Sequence, residues 1–251
     1  TTTGACSYFG HRSGFNNSGG DNNVFLGAEA GEGNTSGSHN TYVGVRAGEA
    51  ASTGSQNTIV GSNAAQNGSF TGSTNSILGY EAGHDLTTGN GNTLMGKHSG
   101  YNLTTGAYNQ AFGWGALEDN TTGSYNVAIG ADSQENATGD GNISVGHDTL
   151  RNITSGYNVA VGFSAAQAAT TATNIVAIGR QAAGNGSFNA NDTTAVGYYS
   201  LMSCTSGIKN TGLGYLTLAN ATTGKENVAV GSGAGGDLTT GDENVIMGTR
   251  A

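Results

Sequence analysis

Apolar residues recur along this chain on a fixed schedule. A short motif, Asn-x-x-apolar-Gly, returns as NVFLG at Asn23 to Gly27, NVAIG at Asn126 to Gly130 and NVIMG at Asn244 to Gly248. Its glycines fall at Gly10, Gly27, Gly44, Gly61, Gly79, Gly96, Gly113, Gly130, Gly146, Gly162, Gly179, Gly197, Gly214, Gly231 and Gly248, at intervals of 16 to 18 residues. The residue before each of these glycines is always apolar, from Phe9 and Leu26 to Val230 and Met247. Two residues earlier stands mostly Val, Ile or Thr. Period-2 alternation in a β-favouring run predicts a short strand with those two positions on one face, and this reading turns that face inward.

The residue between them must then face outward. It is bulky in the first six units (Tyr8, Phe25, Tyr42, Ile59, Ile77, Leu94) and then small (Ala128, Ala160 and Ala229 among them), and it ends on Ile246. An apolar stripe on an outer face marks an interface, here expected to lie between identical chains.

Fifteen tandem units at about 17 residues predict an all-β β-solenoid, a β-roll with one coil per unit. Each coil is expected to hold two short strands and two turns. Helical repeats are excluded, because they are about 33 residues or longer and rich in Ala, Leu, Glu and Lys. No linker interrupts the units, so residues 1–251 read as one repeat domain. Four residues before the anchor glycine, Asn stands in twelve units: Asn23, Asn40, Asn57, Asn75, Asn92, Asn109, Asn126, Asn142, Asn158, Asn210, Asn227 and Asn244. The exceptions are Cys6, Ile175 and Thr193. Stacked amides at a corner predict a structural Asn ladder.

Composition supports an ordered repeat. Gly is 45 of 251 residues, Pro is absent and only 10% of residues are charged. The net charge is −9 with eight scattered Lys and Arg, which leaves no basic stripe for nucleic acid. No apolar run approaches the roughly 20 residues of a membrane-spanning helix, so no membrane insertion is expected. Cys6 and Cys204 lie about eleven repeats apart and read as buried thiols rather than a disulfide.

The five histidines have no close metal-ligand spacing, and no Ser-His-Asp or paired-carboxylate arrangement is evident. The expectation is a protein that is not an enzyme, with no metal and no cofactor. The position after the anchor glycine varies most. Tyr80 and Trp114 there are candidates for contact with a receptor or sugar, because aromatic rings offer rigid amphipathic area.

The segments NVAIGADSQENATGDGN (Asn126 to Asn142) and NVAVGSGAGGDLTTGDEN (Asn227 to Asn244) resemble two related repeats. One is the head repeat of trimeric autotransporter adhesins. The other is the shaft repeat of phage tail-fibre proteins, which is nearer in spacing and shares the Thr-Thr-Gly turns. The resemblance covers essentially the whole chain. It implies a left-handed β-roll assembled as a parallel homotrimer, acting as a structural and host-attachment protein of the virion tail fibre. A trimeric adhesin head on a bacterial cell surface is the close variant. Expected partners are copies of the same chain, other fibre or baseplate proteins, and a host cell-surface glycan or protein. The unit length of 17 rather than 14 departs from the adhesin pattern, and neck, stalk, anchor and fibre chaperone are all missing. The chain is therefore expected to be a fragment of a longer fibre. An ice- or surface-binding solenoid using Thr rows is the alternative from a different class.

Overall fold

The computed structural model describes residues 4–184 and 188–251. It divides into two compact units, Thr1–Asn126 and Val127–Ala251. Both are built from the same element, a three-residue strand that runs into the anchor glycine. The first unit holds β1 (Ser7–Phe9), β2 (Val24–Leu26), β3 (Thr41–Val43), β4 (Thr58–Val60), β5 (Ser76–Leu78), β6 (Thr93–Met95) and β7 (Gln110–Phe112). The second holds β8 (Val127–Ile129), β9 (Ile143–Val145), β10 (Val159–Val161), β11 (Val176–Ile178), β12 (Thr194–Val196), β13 (Thr211–Leu213), β14 (Val228–Val230) and β15 (Val245–Met247).

Within each unit every strand pairs in parallel with its neighbours in sequence, residue for residue in the repeat register; Phe25 stands opposite Tyr42 and Ala160 opposite Ala177. This is a parallel β-solenoid with one short strand per coil, not the two expected. Turns and bends fill the rest of the coil. Their backbone groups still bond from coil to coil, as Gly31 N–H does to Ala47 O at 3.0 Å.

The anchor glycine permits this stacking. Its φ lies between 126 and 147° in every unit, a conformation essentially confined to glycine. A Cβ on Gly27 would lie 2.3 Å from the carbonyl oxygen of Gly44 in the next coil. No side chain fits there at the observed coil spacing.

The interior reverses one expectation. Strand centres face inward and strand ends face outward. Phe25, Tyr42, Ile59, Ile77, Leu94, Ala128, Ala160 and Ala229 are all buried. In the terminal coils Tyr8 is partly covered and Ile246 packs against the core of the second unit. The residues assigned to an outward inter-chain stripe therefore form the inner column. The reason is the narrow coil cross-section. A three-residue strand can send one side chain inward, where it meets the coil's glycine, as Phe25 meets Gly31, in an interior otherwise lined by small residues such as Ala30, Ala47, Ala64 and Ala82. Alternation then forces both flanking residues out.

A second inward position, four residues after the anchor glycine, compensates in size. It is Gly14, Gly31, Gly48, Ala65, Gly83 and Gly100 where the strand centre is large, and Leu117, Gln134, Leu150, Leu201 and Leu218 in five of the eight coils where the centre is Ala, Ser or Gly; Ala166, Ala183 and Gly235 stand there in the other three. In the two 18-residue coils, Phe70 and Phe188 fill the far side of the core and are fully buried.

Candidate functional site: the outer strand face

Turning the strand centres inward exposes the two flanking positions. The residue before the anchor glycine is apolar in all fifteen units; it is exposed in nine, as Leu26 (44%), Leu78 (48%) and Leu213 (48%) are, and half-buried in six, Val43 and Val230 among them. The other flanking position differs between units. In the first it is mainly Ser or Thr (Ser7, Thr41, Thr58, Ser76, Thr93). In the second it is mainly Val or Ile (Val127, Ile143, Val159, Val176, Val228, Val245). Among the described residues no strand carries a charged residue. In each unit the result is an uncharged parallel sheet face, one column aliphatic or aromatic and the other mainly hydroxyl-bearing in the first unit and aliphatic in the second. Sequence patterning pointed to an apolar interface column but placed it one residue away, because all three strand positions are apolar in many coils.

The Asn positions line the inside of a corner, not a ligand surface. Asn57 shows the pattern. Its Oδ1 accepts the backbone N–H of Asn75 at 2.9 Å and the side-chain N–H of Asn75 at 3.1 Å, while its Nδ2 donates to Asn40 Oδ1 at 3.3 Å and to Gly72 O at 2.9 Å. Asn23, Asn40, Asn75, Asn92, Asn109 and Asn126 are likewise buried in the first unit, as are Asn142, Asn158, Asn210 and Asn227 in the second; Asn244, in the last coil, is partly exposed. The amides are consumed by cross-coil bonds. At Ile175 the ladder stops, and the Ile175 N–H takes Asn158 Oδ1 at 3.1 Å. It resumes at Asn210, with Asn227 Nδ2 donating to Asn210 Oδ1 at 3.1 Å. Turn threonines are similarly occupied: Thr87 and Thr104 hydroxyls donate to the carbonyls of Thr104 and Thr121 at 3.0 and 2.8 Å.

Tyr80 and Trp114 stand exposed just beyond the anchor glycine, with the Lys97 ammonium 6.0 Å from the Tyr80 ring centre. The same column in the second unit is a continuous stack. His147 and Phe163 rings are 5.4 Å apart, the Arg180 guanidinium lies 5.8 Å from both Phe163 and Tyr198, and Tyr198 stacks on Tyr215 at 5.5 Å. Rings stacked on one another hide their faces and present edges. This column borders the aliphatic face across the anchor glycine and widens it.

Two residues past the anchor glycine runs a charged column. Arg46 Nε bonds Glu29 at 2.8 Å, which holds the Glu29 carboxyl below its ordinary pKa. His98 Nε2 meets Glu81 at 2.9 Å and its Nδ1 meets Glu118 at 3.3 Å. Asp132, His147 and Asp148 also converge here, their potential ligand atoms all within 4.8 Å of one another. Spacing along the chain does not reveal this group. The coil register does, since Asp132 and Asp148 occupy the same position in successive coils. No family model and no curated protein matches this chain.

Proposed function

We propose that the chain is a structural module of an attachment fibre that packs alongside parallel copies of itself through the outer strand face. One observation carries this reading: the last strand position is apolar in every coil yet turned to solvent. In water such a face is costly to leave uncovered. A surface that repeats with the coil spacing, about 4.8 Å, is matched along its length by a partner of the same period, and a second copy of the chain has that period. The absence of charge on the strands removes the repulsion that would oppose parallel association. The resemblance of the repeats to phage tail-fibre shafts and trimeric adhesin heads favours three copies and a role in host attachment. Tyr80 and Trp114 are the side chains best placed to meet a receptor.

Light scattering on the chain at micromolar concentration tests this. The expected mass is three times the 24.9 kDa of one chain; a monomer would refute it. A second reading has one specific observation in its favour. In the first unit Thr41, Thr58, Ser76 and Thr93 lie outward beside Val43, Val60, Leu78 and Met95, a hydroxyl-plus-aliphatic face of the kind that could order water at an ice surface. Thermal hysteresis would favour that reading, and its absence would dismiss it.

A further inference from the structure

In the column of corner residues two past the anchor glycine, acids elsewhere meet a base in the neighbouring coil: Glu29 meets Arg46, and Glu81 meets His98. At Asp132 and Asp148 an acid stacks on an acid. Asp148 Oδ1 accepts from Arg151 Nη1 at 3.2 Å, and Arg151 also pairs with Glu135. Arg151 is thus shared between Asp148 and Glu135, and with Asp132 beside Asp148 the three carboxylates outnumber this guanidinium by two charges. Asp132 Oδ1 is buried and has no hydrogen-bond partner, an arrangement that is costly for a carboxylate. Beside the two acids is His147, whose Nδ1 lies 3.0 Å from Asp148 Oδ2 and whose ring is fixed by stacking on Phe163.

We propose that Asp132, His147 and Asp148 bind a divalent transition-metal ion of the zinc class. An imidazole with two carboxylates is a zinc-type donor set rather than the all-oxygen set of calcium or magnesium. The ligand atoms lie within 4.8 Å of one another, against roughly 3.4 Å in a tetrahedral zinc site with bonds near 2.1 Å. Small side-chain rotations close that difference. The ion takes the place of the direct His147 Nδ1–Asp148 Oδ2 contact and neutralises the surplus charge. Its remaining positions go to water, because the His147 side chain is 47% exposed. Asp132 follows β8, and His147 and Asp148 follow β9, so the ion clips two successive coils of the second unit together.

The test is calorimetric titration of the chelator-treated full chain with zinc chloride, alongside thermal melts with and without zinc. One site is expected, with a zinc-dependent rise in Tm. His147→Ala and Asp132→Asn should each weaken that site by at least about tenfold and abolish the rise. Circular dichroism without metal checks that each variant folds, and His147→Gln replaces His147→Ala if that variant does not. Asp132→Asn without metal should melt no lower than the parent, since it removes like-charge repulsion. Cobalt(II) should give visible absorption bands that the His147 variant lacks. No zinc binding up to about 1 mM, binding unchanged in both variants, or calcium binding as tight as zinc would overturn the proposal.

Discussion

Gly31 lies against the ring of Phe25, so close that a Cβ on Gly31 would stand 2.7 Å from the ring carbons. Phe25 cannot retreat, because its ring is stacked between Tyr8 at 5.1 Å and Tyr42 at 4.8 Å. Gly31→Ala should therefore destabilise the first unit by about 1–3 kcal/mol through overpacking, with a further contribution from its φ of +59°. Made in a Phe25→Leu background, the same change should cost less, because the shorter side chain leaves room. Urea denaturation of the four proteins in that cycle reads the coupling. Equal costs in both backgrounds would show that ring and glycine do not compete for space.

That pair also shows what the sequence could and could not reveal. The solenoid was legible, because the anchor glycine and the coil length are set by backbone geometry that no other residue satisfies. Strand polarity was not. Alternation identifies a core face only when one face is polar, and in coils such as β8, with Val127, Ala128 and Ile129, all three positions are apolar. The signal that discriminates is size compensation. Large centres such as Phe25 and Leu94 accompany Gly31 and Gly100, whereas Ala111 and Ser144 accompany Leu117 and Leu150. Positions that trade volume share a space, so the central residue lies inside.

The Asn ladder predicts a graded response to mutation. Asn57→Ala leaves the Asn75 backbone N–H without its acceptor, removes one of the acceptors of the Asn75 side-chain amide, and takes the amide donor from the Gly72 carbonyl. A loss of about 3 kcal/mol is expected for this set of buried bonds. Asn158→Ala should cost less, because the next coil offers Ile175, which has no side-chain amide to receive. Comparison of the two urea midpoints checks this, and equal losses would argue that the side-chain ladder adds nothing beyond the backbone bond.

Neighbouring residues on one strand should separate folding from assembly. Ile77 is buried, whereas Leu78 is 48% exposed. Ile77→Ser should unfold the first unit by exposing a cavity and burying a hydroxyl, at about 3–5 kcal/mol. Leu78→Ser, combined with Leu213→Ser, should leave the far-ultraviolet circular dichroism of the chain intact while weakening self-association. Sedimentation equilibrium measures the second effect. Undiminished association would move the interface away from the outer strand face.

Cys204 predicts behaviour in alkali. Its thiol sits fully buried, donates to Gly207 O at 3.4 Å, and has its pKa pushed up to about 11 by burial. In the unfolded chain the thiol ionises near 8.5. Its folded pKa is raised, so the stability it confers is fully present below pH 8.5 and is lost as pH rises towards 11, by up to about 1.4 kcal/mol per pH unit. Burial of the Tyr42 hydroxyl raises that pKa as well and acts in the same direction at higher pH. Cys204→Ala should flatten the decline between pH 8.5 and 10 while leaving the later tyrosine component. A thiol reagent at pH 8 should modify the partly exposed Cys6 promptly and reach Cys204 only on unfolding. Rapid modification of both thiols in the native protein would show that the second unit opens at this coil.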